Sequence, residues 1–96
     1  MIQMKYRSRS DIIGLILEAA NGGATKTKIM YKAFLSFAQM REYLSTLLEK
    51  DLIRYEEGTG KYKTTEKGMR MLHIYNQINE EFSLPGNSLV SKEINS

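Results

Sequence analysis

The lysine and arginine side chains of this chain are concentrated in two blocks, which is the clearest chemical signal in its sequence. Residues 1–32 carry a net charge of +4 and residues 59–70 carry +3, whereas residues 33–58 and 71–96 each carry −2. Separate positive blocks are expected where a protein contacts a polyanion at two places. A mixed, solvated surface is the alternative, and charge alone does not decide between the two.

The first block contains a short segment of alternating lysine and threonine. Ammonium and hydroxyl groups at the start of a helix can hold phosphate oxygens, and packing does not call for three lysines there. The alternative is that they serve solubility. The predicted phosphate contacts in this segment are Lys26, Thr27, Lys28 and Lys32. Lys5, Arg7 and Arg9 form either a further basic arm or a frayed terminus, and we favour the terminus.

A second group of candidates lies on a helix predicted over residues 36–50. Its apolar stripe consists of Phe37, Met40, Leu44, Leu47 and Leu48. The candidate DNA contacts beside that stripe are Ser36, Gln39, Arg41 and Tyr43. Serine and glutamine can hydrogen-bond base edges, and a tyrosine can reach phosphate or pack. Glu42 and Glu49 repel phosphate, so base readout and an ordinary solvated helix both stay open. Entry into a groove without strong sequence choice is favoured.

The second block follows that helix in a predicted β-hairpin. The turn residues 56–60 include two glycines, and the returning segment 61–64 alternates basic and apolar residues. Alternation places Lys61 and Lys63 on one face and turns Tyr62 to the core. With Arg54 on the opposing strand, these lysines are candidate contacts to phosphate or the minor groove. Two glutamates near the tip argue against deep insertion.

These candidates require a particular order of elements. Helices are predicted at about 10–20, 25–33, 36–50 and 65–82, and strands at about 52–56 and 61–64, with an arm at 1–9 and a tail at 83–96. Ser10, Ser36 and Thr65 are the expected N-caps, and Asp51 is expected to be left-handed. Phe34 and Leu35 should fill the turn between the second and third helices. This order describes a mainly α protein with a small β-hairpin (α+β): a winged helix-turn-helix of residues 10–64 with an extra C-terminal helix.

The sequence also resembles a known family over about residues 8–80. The matching features are Lys26-Thr27, Ile29-Met30-Tyr31, Leu35-Ser36-Phe37, Tyr43-Leu44, Leu52-Ile53 and Thr65 with Lys67-Gly68. They are similar to the archaeal winged-helix family that includes the small basic "10a" chromatin-associated DNA-binding proteins. The resemblance implies a dimer in which the helix after the wing pairs with its counterpart as an antiparallel coiled coil. Pro85-Gly86 limits any such coiled coil to about two heptads.

The C-terminal helix is apolar over more than one stripe, which indicates contact with two partners. Its predicted dimer interface consists of Met71, Ile74, Tyr75, Ile78 and Phe82, while Met69 and Leu72 lie at other angles. One contact is with its own domain and the other with a second chain. The alternative is that the tail folds back over the second stripe through Leu89, Val90 and Ile94.

Several functional classes are not supported. The chain has no cysteine and one histidine, which indicates no metal site and no cofactor, and no nucleophile, base and orienting group stand out. The longest apolar run, Ile12–Leu17, is too short for a membrane span, so a soluble cytoplasmic protein is expected. RNA binding is a lesser alternative because no exposed aromatic pair is predicted. The leading hypothesis is a non-enzymatic dimer that binds double-stranded DNA, with no small-molecule ligand. A protein-interaction adaptor is the other.

Overall fold

The computed structural model describes residues 7–83, with side chains for residues 7–78. The elements are α1 (Arg9–Ala19), α2 (Lys26–Lys32), α3 (Phe37–Glu49), β1 (Ile53–Glu56), β2 (Lys61–Thr64) and α4 (Glu66–Ser83). Four helices and a two-stranded antiparallel hairpin confirm the predicted α+β winged helix-turn-helix with an additional C-terminal helix. Most of the predicted arm and the tail beyond Ser83 lie outside the described residues.

The core is aliphatic and draws on every described element up to α4. Its largest fully buried side chains are Ile16, Leu17, Ile29, Met40, Leu47 and Ile53. Helix α1 is central because it packs against both α2 and α4. Its broad apolar surface therefore has two partners within the chain.

Side-chain caps define where the helices begin, and one predicted cap is wrong. Ser10 was expected to cap α1, but Ser8 does so: its hydroxyl accepts from the amide of Asp11, and its own amide donates to the Asp11 carboxylate. The physical reason is that Asp11 at the third helical position completes a capping box only with Ser8. Asp51, with a φ of 60°, adopts the predicted left-handed conformation after α3.

The hairpin is anchored to the rest of the domain through β2. Tyr62 exchanges two backbone hydrogen bonds with Ala24, which extends the hairpin by a one-residue bridge just before α2. The hydroxyl of Thr64 donates to the carbonyl oxygen of Leu17 at the end of α1. The side chain of Tyr62 is half-buried against the core, in agreement with the prediction. The hairpin thus has a fixed position relative to α2.

Helix α4 is held on the domain by close approach at two glycines. A Cβ atom on Gly68 would lie 2.2 Å from the carbonyl oxygen of Leu52, so the backbones meet there with no room for a side chain. A Cβ on Gly14 would lie 3.0 Å from the ring of Tyr75. Thr65 caps α4 as predicted, since its hydroxyl accepts from the amide of Gly68 and donates to the carbonyl of Asp51.

Within residues 7–83, no helix has both the length and the apolar character that crossing a membrane requires.

Candidate nucleic-acid interface

The N-terminus of α3 contains two residues that were predicted to contact DNA bases. In the structure, both side chains take part in a capping box. The hydroxyl of Ser36 accepts from the amide of Gln39 at 3.1 Å, and Oε1 of Gln39 accepts from the amide of Ser36 at 3.0 Å. Both side chains are exposed. Their oxygen atoms are nevertheless already hydrogen-bonded within the chain, which leaves the Nε2 group of Gln39 outside the cap as a donor.

Tyr43 lies further along α3 and is less exposed than its position on the outer face predicted. Its side chain is half-buried and packs against the core. The guanidinium carbon of Arg9 lies 5.6 Å from the centroid of its ring, within the range of a cation–π contact. Arg9 therefore places a positive charge beside the acidic face of α3. Arg9 was predicted to belong to a frayed terminus, and its position beside Tyr43 could not be predicted because it is a long-range contact.

Arg41 and Phe37 form a second exposed pair on α3. The guanidinium carbon of Arg41 lies 5.8 Å from the centroid of the Phe37 ring. Phe37 was predicted to belong to the buried stripe of this helix, but it is more than half exposed. The prediction was wrong for Phe37 and for Leu48, because only Met40, Leu44 and Leu47 of this stripe are buried against the core.

The four candidate residues of α2 all have exposed side chains: Lys26, Thr27, Lys28 and Lys32. The helix begins after Thr25, whose hydroxyl accepts from the amide of Lys28. That amide is therefore hydrogen-bonded within the chain, and the lysine ammonium groups are the strongest donors on this side of α2. Lys32, in the last turn, also faces the negative end of the helix.

The hairpin carries the remaining predicted contacts. Arg54 pairs with Lys63 across the strands and Glu56 pairs with Lys61, so these four side chains lie on one face of the hairpin. Lys61 and Arg54 are exposed. The ammonium of Lys63 lies 3.6 Å from a carboxylate oxygen of Glu56, and this exposed ion pair offsets part of the charge of the hairpin.

The fold brings the two positive blocks of the sequence next to one another. A Cβ atom on Gly23, three residues before Lys26, would lie 3.5 Å from Cδ of Lys61 and 3.7 Å from Cγ of Lys63. The bridge between Ala24 and Tyr62 fixes this arrangement. Sequence spacing could not reveal it, because the pairing of β2 with the residue before α2 is a long-range contact.

The apolar residues predicted for a dimer interface divide into two sets. Met71, Ile74 and Ile78 are about half exposed. Tyr75 contacts its own chain instead: its ring packs over Gly14 and its hydroxyl donates to the carboxylate of Asp11. Its assignment to a dimer interface stays a prediction. The side chain of Phe82 lies outside the described ones.

The contact between Tyr75 and Asp11 shifts the pKa of both groups. Burial, followed by the hydrogen bond to Asp11, raises the pKa of Tyr75 to about 12. The hydrogen bond from Tyr75, and then the bond from the Ser8 amide, hold the pKa of Asp11 below its usual 3.8. Each shift favours the hydrogen-bonded pair of a neutral phenol and an ionised carboxylate. Among the described residues, no three His, Cys, Asp or Glu side chains form a group that could hold a metal ion.

Two packed helices joined by a short turn, followed directly by an anchored β-hairpin, define the winged helix-turn-helix class. The chain belongs to the winged helix-turn-helix family, which matches residues 6–83. Domains of this family are in general DNA-binding or regulatory and typically not enzymes. No curated protein sequence matches the chain.

Proposed function

We propose that this protein is a dimer that binds double-stranded DNA, with α3 in the major groove and phosphate contacts from α2 and the hairpin. The observation that carries the proposal is the adjacency of the two positive blocks: Lys61 and Lys63 flank Gly23, just before the lysines of α2. Since phosphates run continuously along the edge of a groove, adjacent cations of this kind can pair with neighbouring phosphates beside an inserted helix.

Binding in this proposal depends on charge and shape more than on base sequence. The oxygen atoms of Ser36 and Gln39 are used in the capping box. Glu42 and Glu49 on the same helix are exposed and acidic. Few groups are therefore left to read base edges, and affinity should fall steeply with salt because binding releases counterions. Such a protein acts either as a regulator or as a chromatin-associated protein at the nucleoid in the cytoplasm.

Dimerisation is proposed to occur through α4. Met71, Ile74 and Ile78 follow the spacing of a coiled-coil seam on an exposed face of this helix. The resemblance to the archaeal "10a" proteins supports the same arrangement. A symmetric dimer would present two heads, and the distance between them would set the spacing of their two contacts on DNA.

A protein-interaction adaptor is the second candidate function. Exposed carboxylates on α3 and at the hairpin tip favour it: Glu42, Glu49 and Glu57. These charges lie on or beside the surface that would face phosphate, where they oppose DNA and suit a basic protein partner.

A mobility-shift titration with random-sequence duplex at low salt tests the proposal. The variant Lys61→Ala/Lys63→Ala should bind more weakly to all sequences alike, and the slope of log affinity against log salt should fall by about 2, one unit for each lost phosphate contact. Lys50→Ala/Arg70→Ala removes the same charge at two residues that are not proposed as DNA contacts and should retain binding. Absence of any shift at micromolar protein would favour the adaptor instead.

A further inference from the structure

Three aromatic side chains are exposed where α2 meets α3. Tyr31 is 80% exposed, Phe34 63% and Phe37 55%. Phe34 was predicted to fill this turn together with Leu35, and no exposed aromatic pair was predicted. Both expectations are wrong, because Leu35 alone fills the turn while the three rings face solvent. We name the set of Tyr31, Phe34 and Phe37 the aromatic turn.

The backbone presents the Phe34 ring in a defined direction. Phe34 has a φ of 55°, in the left-handed region that glycine and asparagine adopt more readily. The guanidinium of Arg7 donates to the carbonyl oxygens of Ala33 and Phe34, and its carbon lies 5.9 Å from the Phe34 ring. Tyr31 and Phe34 line one open depression with Leu35 at its side. The aromatic turn is therefore a constrained surface and not a loose loop.

The sequence around the aromatic turn is rich in cations. The sequence has no acidic residue between Glu18 and Glu42, whereas Lys26, Lys28, Lys32 and Arg41 fall within this span. Arg7 and Arg41 each lie beside one of the rings. A surface of ring faces beside cations is complementary to a ligand that has flat apolar groups and negative charge.

We propose that the aromatic turn binds single-stranded DNA, with bases stacked on its rings and phosphates paired with Arg7, Lys32 and Arg41. Unpaired bases expose the faces that a duplex keeps stacked, and aromatic side chains beside cations are the common means of binding them. A second copy of the same surface is a poor occupant, because a symmetric contact would bring these cations together. This inference goes beyond the proposed duplex binding; the choice of DNA as the ligand rests on that proposed function, whereas the stacking of bases on the rings does not.

DNA is proposed as the ligand because of where the aromatic turn lies in the fold. The aromatic turn lies between α2 and α3, the elements proposed to hold a duplex, so a strand released from that duplex is its nearest ligand.

Fluorescence anisotropy with labelled oligothymidine of about 20 nucleotides tests the proposal. Tyr31→Ala and Phe34→Asn should each weaken binding by roughly 5- to 100-fold, the range expected for loss of one stacked base. Tyr31→Phe and Phe34→Tyr keep a ring and should retain the affinity. Leu48→Ala, which removes an exposed apolar side chain elsewhere on α3, is the matched control. The ring variants should leave the salt dependence unchanged, since they remove no charge.

Three outcomes would overturn the proposal. The first is unchanged affinity in both Tyr31→Ala and Phe34→Asn. The second is displacement of oligothymidine by polyglutamate as effectively as by unlabelled strand, which would assign the surface to an acidic protein. The third is markedly tighter binding of oligouridine RNA than of oligothymidine. A parallel titration with duplex distinguishes this proposal from the proposed function. If Lys61→Ala/Lys63→Ala loses duplex binding but still binds the single strand, the role of the aromatic turn is supported.

Discussion

Two surfaces of this small domain expose apolar side chains, and they differ in chemistry. The aromatic turn presents rings surrounded by arginine and lysine. The face of α4 formed by Met71, Ile74 and Ile78, here named the aliphatic face, presents flexible or branched chains, and the cations Lys67 and Arg70 lie at its N-terminal end. Both surfaces expose apolar area. A base can stack only on the aromatic turn, and a coiled-coil partner fits only the aliphatic face.

The difference shows that exposed apolar area does not identify a partner by itself. Around the aromatic turn, positive charge selects a polyanion and opposes self-association. On the aliphatic face, the cations are confined to the N-terminal end, and the three-and-four spacing of the apolar side chains suits helix pairing. Substitutions that affect one surface and not the other therefore test whether the two roles are separate.

The largest loss of stability is expected at Gly68, where α4, the helix that carries the aliphatic face, is attached to the rest of the domain. Gly68→Ala would place a methyl group 2.2 Å from the carbonyl oxygen of Leu52 and 2.7 Å from Cγ2 of Thr64. The backbone must shift to relieve this, at a cost of about 3 kcal/mol, which exceeds the gain of about 1 kcal/mol in helix propensity. Chemical denaturation should show the loss.

Gly58→Ala is the control for this prediction. A Cβ atom at Gly58 meets nothing within 4 Å, so its stability should stay within about 0.5 kcal/mol of wild type. Equal stability of the two alanine variants would show that α4 is not seated on Leu52 as described.

The next effect concerns the aliphatic face itself. Ile74→Glu/Ile78→Glu should weaken the proposed dimer by at least about 30-fold, because two carboxylates per chain would be buried and brought near their counterparts. Sedimentation over a range of concentrations measures it. Both side chains are exposed, so the monomer should fold. Gln77→Glu adds charge to α4 outside the face and should remain dimeric, and a wild-type monomer at high concentration would refute the role assigned to α4.

Much of the fold could be predicted because its signals are local. Ser36 and Thr65 cap helices through hydrogen bonds to residues three positions on. The left-handed Asp51 and the alternation around Tyr62 are likewise encoded within a few residues. Such contacts follow from sequence spacing, since the chain itself places the partners within reach.

Other features could not be predicted because they arise from long-range packing. Tyr75 was placed in a dimer interface by helical spacing, yet its hydroxyl reaches Asp11 across α1. Arg7 looked like part of a frayed arm, although it binds carbonyl groups at the turn after α2. The solvent exposure of Phe34 depends on a backbone angle that its residue type does not indicate. These are the features that shape the aromatic turn and limit the aliphatic face.

A smaller loss of stability is expected at the contact between Tyr75 on α4 and Asp11 on α1. Tyr75→Phe removes the hydrogen bond to Asp11 and should cost about 1 kcal/mol, or roughly 5 °C in Tm. Tyr31→Phe, which removes an exposed hydroxyl from the aromatic turn, should cost nothing measurable. Thermal unfolding of both variants beside wild type gives the comparison, and equal losses would show that the Tyr75 hydroxyl has no special role.

The same contact should depend on pH in a defined way. The Asp11 contribution is complete above its unfolded-state pKa of 3.8 and is lost as the pH falls through the lower folded-state value. The Tyr75 contribution is complete below its ordinary pKa of 10.0 and is lost as the pH rises toward 12. The stability difference between wild type and Tyr75→Phe should therefore be constant near neutral pH and shrink at both extremes.

The smallest effect on stability is expected at the centre of the aromatic turn. Phe34→Asn should leave the free energy of unfolding within about 0.5 kcal/mol, because asparagine tolerates the left-handed backbone and offsets the lost contact with Arg7. Leu35→Ala, one residue later but buried, should cost about 3 kcal/mol. A loss above 1 kcal/mol in Phe34→Asn would mean that the ring stabilises the fold. If Phe34→Asn instead keeps its stability but no longer binds oligothymidine, the ring serves binding and not folding. That result would explain why a phenylalanine occupies a backbone conformation that asparagine adopts more readily.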